Sequence, residues 1–293
     1  MRWTKRGRAD AHNERGRKLD AEGRTEEAIR EYLRACELDP SWSVPHYNLG
    51  LVYKYAGDWE RSLEWNQRAA ALDPKDQAGW WNLGIAATAL GRWDEARRAW
   101  RGCGIDVPEG QGPLDYRCGR TPIRLEPSGE AEVVWAQRLD PARAQLENVP
   151  LPEAGFRWRD VVLNDGAPVG YRMLGEIEVS VFNCLALLQP STYSTYIALV
   201  DGAGEDATEA LVQLAAGRDL AAEDWTTSVR MLCRACSEGR PHDHHESAPP
   251  PKAGPHRVAL AAASRAEADA LLADWLKEWP AVRVASLELA LKA

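Results

Sequence analysis

Tyr47-Asn48-Leu49-Gly50, followed seven residues after its glycine by Gly57-Asp58-Trp59-Glu60, decides how the front of this chain folds. The pattern returns thirty-four residues later as Trp81-Asn82-Leu83-Gly84 and Gly91-Arg92-Trp93-Asp94. A period of that length marks stacked helical repeats. Other positions keep the same phase. Leu38-Asp39-Pro40 becomes Leu72-Asp73-Pro74 and then, degraded, Asp106-Val107-Pro108. Gly16, Gly50 and Gly84 align, as do Gly23, Gly57 and Gly91, then Ala28, Ser62 and Ala96, then Ala35, Ala69 and Cys103. Small residues let two helices approach closely, glycine tolerates the turn between them, and proline closes the second helix because it offers no N–H to continue it.

These residues resemble the tetratricopeptide repeat (TPR) family over residues 9–108. The resemblance implies a TPR array over residues 1–108, three repeats of thirty-four residues, each a helix A, a turn and a helix B. It also implies that helix A faces a concave side carrying Asn13, Arg17, Tyr47, Asn48, Leu51, Tyr55, Trp81, Asn82 and Ile85. Amides beside aromatics suit an extended protein or peptide segment, whose backbone takes the amide hydrogen bonds while its side chains fill aromatic pockets. The family members that grip chaperone C-termini use Lys and Asn in the first repeat, Asn in the second, and Lys and Arg in the third. Here only Asn48 matches. The first repeat has Asn13 and Arg17, and the third has Ala78 and Asn82, so a chaperone tail is not the expected ligand.

The ends of the array differ from its middle. Arg15 stands where the later repeats have Leu49 and Leu83, as expected of a terminal repeat with one face in water. After Pro108 comes Glu-Gly-Gln-Gly-Pro, which cannot form the solvating helix that usually finishes such an array. An apolar edge at Trp93 and Trp100 is therefore expected to be covered by the next part of the chain, with the middle domain docked onto the array.

From residue 109 the helical period stops. Thr121–Leu125, Ala131–Leu139, Ala144–Val149, Arg157–Asn164, Gly170–Leu174 and Ile177–Leu187 are short β-type runs punctuated by Pro, Gly, Asp and Asn. Strands at that spacing predict a small antiparallel barrel or sandwich over 109–192. Glu132–Ala136, Glu147–Pro152 and Arg159–Leu163 resemble uncharacterised bacterial β-barrel modules, a resemblance that implies no activity. Over 193–293 the order is strand (Tyr193–Val200), helix (Asp206–Arg218), strand (Glu223–Leu232), strand (Arg257–Ala263), helix (Ser264–Trp279) and strand (Val282–Leu291). Two β-α-β halves in succession predict a ferredoxin-like α+β tail. The fold class is thus multidomain, α and then α+β.

The tail carries a 233–256 loop insertion containing Cys233, Cys236, His242, His244 and His245. C-x-x-C followed by H-x-H-H supplies ligands that can close on one structural Zn²⁺, and a loop without its own core gains order from a metal. No phosphate-binding loop, nucleophile elbow, H-E-x-x-H or dinucleotide fingerprint is present. His242-Asp-His244-His245-Glu246 departs from the metallo-β-lactamase-like H-x-H-x-D-H at its last three positions.

Composition narrows the classes that remain. The 293 residues are 45% hydrophobic and 27% charged, with a net charge of −8, the mixture of a soluble globular protein. Charge is nearly balanced up to residue 108 and acidic beyond it, which argues against a nucleic-acid partner. No apolar run is long enough to span a bilayer, and the basic start at Met1–Arg6 leads into no apolar core, so no membrane partner and no secretory signal are expected. Six scattered cysteines point to a reducing cytoplasm. The sequence therefore reads as a bacterial-type cytoplasmic TPR adaptor or scaffold, not an enzyme, with a protein segment as partner and a structural zinc. The alternatives from other classes are a zinc-dependent enzyme that recruits substrate through its TPRs, and a toxin-neutralising immunity protein.

Overall fold

The structure, a computed structural model, describes residues 4–126, 131–225, 231–232 and 256–293. The chain divides into two compact units, one running to Tyr116 with Asp140–Ala142, the other made of Arg117–Leu139 and Arg143–Ala293.

The first unit is six helices in three hairpins: α1 (Lys5–Ala21) with α2 (Thr25–Leu38), α3 (Ser43–Tyr55) with α4 (Trp59–Leu72), and α5 (Gln77–Ala89) with α6 (Trp93–Gly102). The repeat is written into the hydrogen bonds. Each hairpin turn holds a glycine in the left-handed region, Gly23, Gly57 and Gly91, with φ of 74°, 73° and 67°. The residue after each donates its N–H back to Leu19, Tyr53 and Ala87 at 2.8, 2.9 and 2.8 Å. A side chain at those glycines would be strained, which is why the position repeats.

Within each hairpin the aligned glycine of the first helix meets one residue of the second. A Cβ on Gly16 would lie 2.6 Å from Tyr32, on Gly50 2.5 Å from Asn66, and on Gly84 2.5 Å from Trp100. The same slot is thus filled by a phenol, an amide and an indole. Leu49 and Leu83 are fully buried, while Arg15 at the aligned position is exposed, 3.8 Å from Glu31.

The far end of the array corrects one expectation. Trp100 is not on an apolar edge. It is completely buried inside its own repeat, against Gly84 and edge-on to Trp81 at 5.3 Å between ring centroids. The segment after α6 lies along that helix instead. Arg97 donates to the carbonyls of Pro108 (3.1 Å) and Gly112 (2.8 Å), Arg101 pairs with Glu109 at 2.7 Å, and Val107 and Leu114 are buried.

The second unit holds two sheets. The first contains β1 (Arg120–Arg124), β2 (Ala131–Arg138), β3 (Arg143–Leu146), β4 (Val161–Leu174) and β5 (Ile177–Gln189), in the order β1-β5-β4-β3-β2, with β1 also paired to β2. Its core is Ile123, Leu125, Val134, Ala136, Ala144, Leu146, Val162 and Cys184. The runs expected at 157–164 and 170–174 prove to be one strand. Asn164-Asp165-Gly166 does not turn the chain but forms an irregularity, Asn164 opposing Cys184 and Pro168 opposing Phe182. The polar side chains are absorbed locally, Asn164 donating to the Asp165 carbonyl and Asp165 accepting from the Gly166 N–H. Proline is tolerated there because a bulge needs no ladder N–H from it.

The second sheet contains β6 (Ser194–Asp201), β7 (Ala221–Asp224), β9 (His256–Ala262) and β10 (Arg283–Leu291), all antiparallel, in the order β10-β6-β9-β7. Helices α7 (Glu205–Ala216) and α8 (Arg265–Glu278) cover one face through Leu211, Ala215, Leu271 and Trp275. The strand expected over 223–232 is divided. Ala221–Asp224 belongs to this sheet, and β8 (Met231–Leu232) pairs with β2 of the other. Ser264 caps α8, accepting from the Glu267 N–H at 3.3 Å, while Glu267 reaches back to the N–H of Ala263 rather than of Ser264. The uncovered face of this sheet meets the first one through Val149, Trp225, Ala259 and Ala261.

Candidate functional site

The nine residues expected on the helix A face sort into two groups. Asn13 and Asn82 are only 2% and 5% exposed, and Ile85 is fully buried. The two amides are occupied in joining successive helices. Asn48 donates to the Oδ1 of Asn13 at 2.8 Å, tying α3 to α1, and Lys54 donates its Nζ to the Oδ1 of Asn82 at 3.1 Å, tying α3 to α5. Lys54 is itself buried, its ammonium 4.3 Å from the ring centroid of Tyr55. A buried cation must be hydrogen-bonded or face an electron-rich ring, and this one does both.

The second group remains accessible. Tyr55 is 60% exposed, Arg17 is exposed and paired with Glu14 at 3.0 Å, and Tyr47, Asn48, Leu51 and Trp81 are half-buried. The Trp81 indole is braced by Trp100 from behind. Together α1, α3 and α5 present a partly aromatic strip over a wall of paired amides. The sequence marks helix A but not which of its residues point between helices. Lys54, whose buried ammonium organises the strip, carried no signal.

Three of the described thiols are chemically quiet. Burial pushes the Cys36 and Cys184 thiols up to about 12 and Cys103 to about 11, leaving them protonated and unreactive. No group of three or more His, Cys, Asp or Glu among the described residues could hold a metal ion. The expected zinc ligands Cys233, Cys236, His242, His244 and His245 lie outside the described residues. No helix among the described residues is long and apolar enough to cross a membrane.

The family model described as TPR repeat matches residues 16–57. That stretch is TPR sequence. No curated protein matches the chain. Among solved structures, the second TPR domain of Spaghetti (RPAP3) bound to the HSP90 peptide SRMEEVD is similar at 25% identity, over 33% of this chain and 89% of that one, with a TM-score of 0.32. MamA is similar at 24% identity, over 32% and 56%, TM-score 0.31. The Sgt2 TPR domain from Aspergillus fumigatus is similar at 24% identity, over 32% and 63%, TM-score 0.31.

Proposed function

We propose that this chain is an adaptor rather than an enzyme, and that its TPR array holds a protein segment along the face of α1, α3 and α5. The observation carrying this reading is the strip itself. Tyr55 stands more than half exposed beside half-buried Tyr47, Asn48, Leu51 and Trp81, whereas the amides beneath are spent on helix–helix bonds. Aromatic anchors on a rigid helical wall are what a segment-binding groove needs. A chaperone C-terminus is not the proposed ligand, since Asn48 alone matches the residues that grip one. The test is affinity capture from a native lysate with the full chain and with Tyr47→Ala plus Tyr55→Ala. Loss of the captured protein at unchanged helix content is expected. Undiminished capture by the double variant would place the site elsewhere.

Finer assignments belong to the same reading. The first sheet of the second unit reads as a small barrel, supported by β1 pairing with both β2 and β5. The second reads as ferredoxin-like, supported by its strand order and two covering helices. A structural Zn²⁺ on Cys233, Cys236, His242 and one of His244 or His245 rests on the ligand spacing alone. Purified protein should then carry about one Zn²⁺ per chain, released by Cys233→Ser. Metal-free protein from a zinc-supplemented preparation would remove the site.

A further inference from the structure

The second sheet ends, on the side of β10, in its longest strand. Among the described residues the order β10-β6-β9-β7 pairs β10 with β6 alone. The strand runs nine residues, Arg283–Leu291, with neither Pro nor Lys among them. Its end is anchored, the Lys292 carbonyl accepting from Arg157 at 2.8 Å and the Ala293 N–H donating to Ser194 at 3.0 Å. A long, fixed edge of this kind offers its outward N–H and C=O groups to another strand. The two faces of β10 are set by a bulge. Val284 opposes Val200 and Ser286 opposes Leu199, so Ala285 is the extra residue between them. Residues three apart in a regular strand lie on opposite faces, but the bulge brings Val284 and Leu287 to the same one. Both oppose core residues beneath the helices, Val200 and Ala198, and both are only partly buried there. Leu289 follows on that face, opposite Tyr196, and is 52% exposed. Arg283 and Glu288 share the other face, opposite Asp201 and Ile197. Both are exposed, and neither makes an ion pair among the described residues.

This pattern is complementary to its own reverse. About the midpoint between Ala285 and Ser286, the segment Arg283-Val284-Ala285-Ser286-Leu287-Glu288 sets Arg against Glu, Val against Leu and Ala against Ser. An antiparallel copy of the strand, related by a two-fold axis at that midpoint, would bring each of these pairs together twice. The faces agree as well. Val284 and Leu287 lie on the helix side in both copies, Arg283 and Glu288 on the other. Opposite charges and apolar pairs directly across strands stabilise a sheet, whereas a register centred on Glu288 would oppose like charges. We propose that β10 is the interface between two copies of this chain. The two four-stranded sheets join there into one antiparallel sheet, with Arg283 of each copy against Glu288 of the other. The interface is independent of the helical strip and of the partner bound there.

The experiment is analytical ultracentrifugation of the full chain over a range of concentrations. A reversible dimer is expected. Glu288→Arg leaves only positive charge at the two contacts, and Arg283→Glu leaves only negative charge. Each variant alone should therefore dimerise at least about tenfold more weakly, the equivalent of about 1.4 kcal/mol. Neither side chain is buried, so the melting temperature of each monomer should stay unchanged. Mixed together under different tags, the two variants should form a heterodimer as tight as the original dimer, because every Arg then meets a Glu. That recovery also shows that both variants are folded. A chain that stays monomeric at every concentration overturns the proposal. So does a dimer indifferent to the single reversals, which would use another face of the molecule. A mixture of folded variants that recovers no affinity overturns it too, since the charges would then act outside this register.

Discussion

The helical array and the two-sheet unit are held together by ties of different reach. In the array, the Ser62 hydroxyl donates to the carbonyl of Gly50, Lys54 reaches Asn82 and Asn48 reaches Asn13, each tie staying within one repeat or joining it to the next. In the two-sheet unit, Glu223 accepts from Asn148 and Val149, the Trp225 indole donates to the Val149 carbonyl at 3.3 Å, and Arg157 donates to the carbonyl of Lys292 at 2.8 Å, across 135 residues. Local ties close small loops and repeat in sequence, whereas distant ones need the chain ordered before any contact repays the loop entropy. One region therefore announces itself as a period, and the other only through its finished register.

The sharpest way to break this comparison is inside the repeat slot. Trp100→Ala empties the largest fully buried side chain of the array and should cost about 3–5 kcal/mol in urea unfolding, the range for removing a buried aromatic. A loss below about 1 kcal/mol would mean that the slot collapses freely and that the glycine period is not a packing device. Gly84→Ala and Gly50→Ala refine it. Both overpack, at about 1–3 kcal/mol, offset in part by helix propensity. Gly84→Ala should be the worse, because Trp100 is a large rigid ring, whereas Asn66, equally buried, is smaller and can shift at the expense of its 2.8 Å bond to the Ser62 carbonyl.

The next effect tests the long-range side. Glu223→Ala removes the acceptor shared by the Asn148 side chain and the Val149 N–H, and should cost about 2–3 kcal/mol, as for hydrogen bonds to a charged group. Glu223→Gln keeps one good acceptor and should cost less. If either behaved like an ordinary surface change, within about 0.5 kcal/mol, the two sheets would be held by the apolar contacts of Val149, Trp225, Ala259 and Ala261 and by the remaining ties, such as the Trp225 indole to the Val149 carbonyl, rather than by Glu223.

Legibility in the sequence divides along the same line. The six helices, their glycine turns and the exposed Arg15 are legible because each is fixed by residues within one or two repeats. The strands lie where alternation places them, but their ends do not. Asn164-Asp165-Gly166 has the composition of a turn, and only the opposing β5 makes it an irregularity within one strand. Likewise 223–232 reads as one run, yet its two ends pair with different sheets. The groove residues are legible by helix and not by direction. Asn13 and Asn82 are buried while Asn48 is half-buried, although all three bond to a neighbouring helix, and no local pattern encodes how far a neighbour covers each. Trp100 reads as an edge residue for the same reason, since the glycine it fills lies on another helix.

The smallest effect is a pH dependence confined to the array. His46 is buried in the second repeat, tilted against the Trp65 ring at 5.6 Å, its Nδ1 2.9 Å from the Trp42 carbonyl and 3.7 Å from the Cys36 sulfur. Burial lowers its pKa below the ordinary 6.5, the Trp42 hydrogen bond opposes that, and the positive charge of Arg68 adds to it. The unfolded chain therefore binds a proton here at a pH where the folded one does not. Stability is fully present above about pH 6.5 and falls as pH drops from there through the folded value, below which the contribution is lost. Carboxylates held down by partners, such as Asp39 beside Arg6, act in a lower window, below the ordinary 3.8, so the two effects separate on the pH axis. Urea midpoints of the full chain, followed by far-UV circular dichroism, should decline across the histidine window, and His46→Leu should flatten that decline while the carboxylate window persists. A slope unchanged in His46→Leu would assign the titration to another group and leave the Cys36–His46–Trp65 contact as packing only.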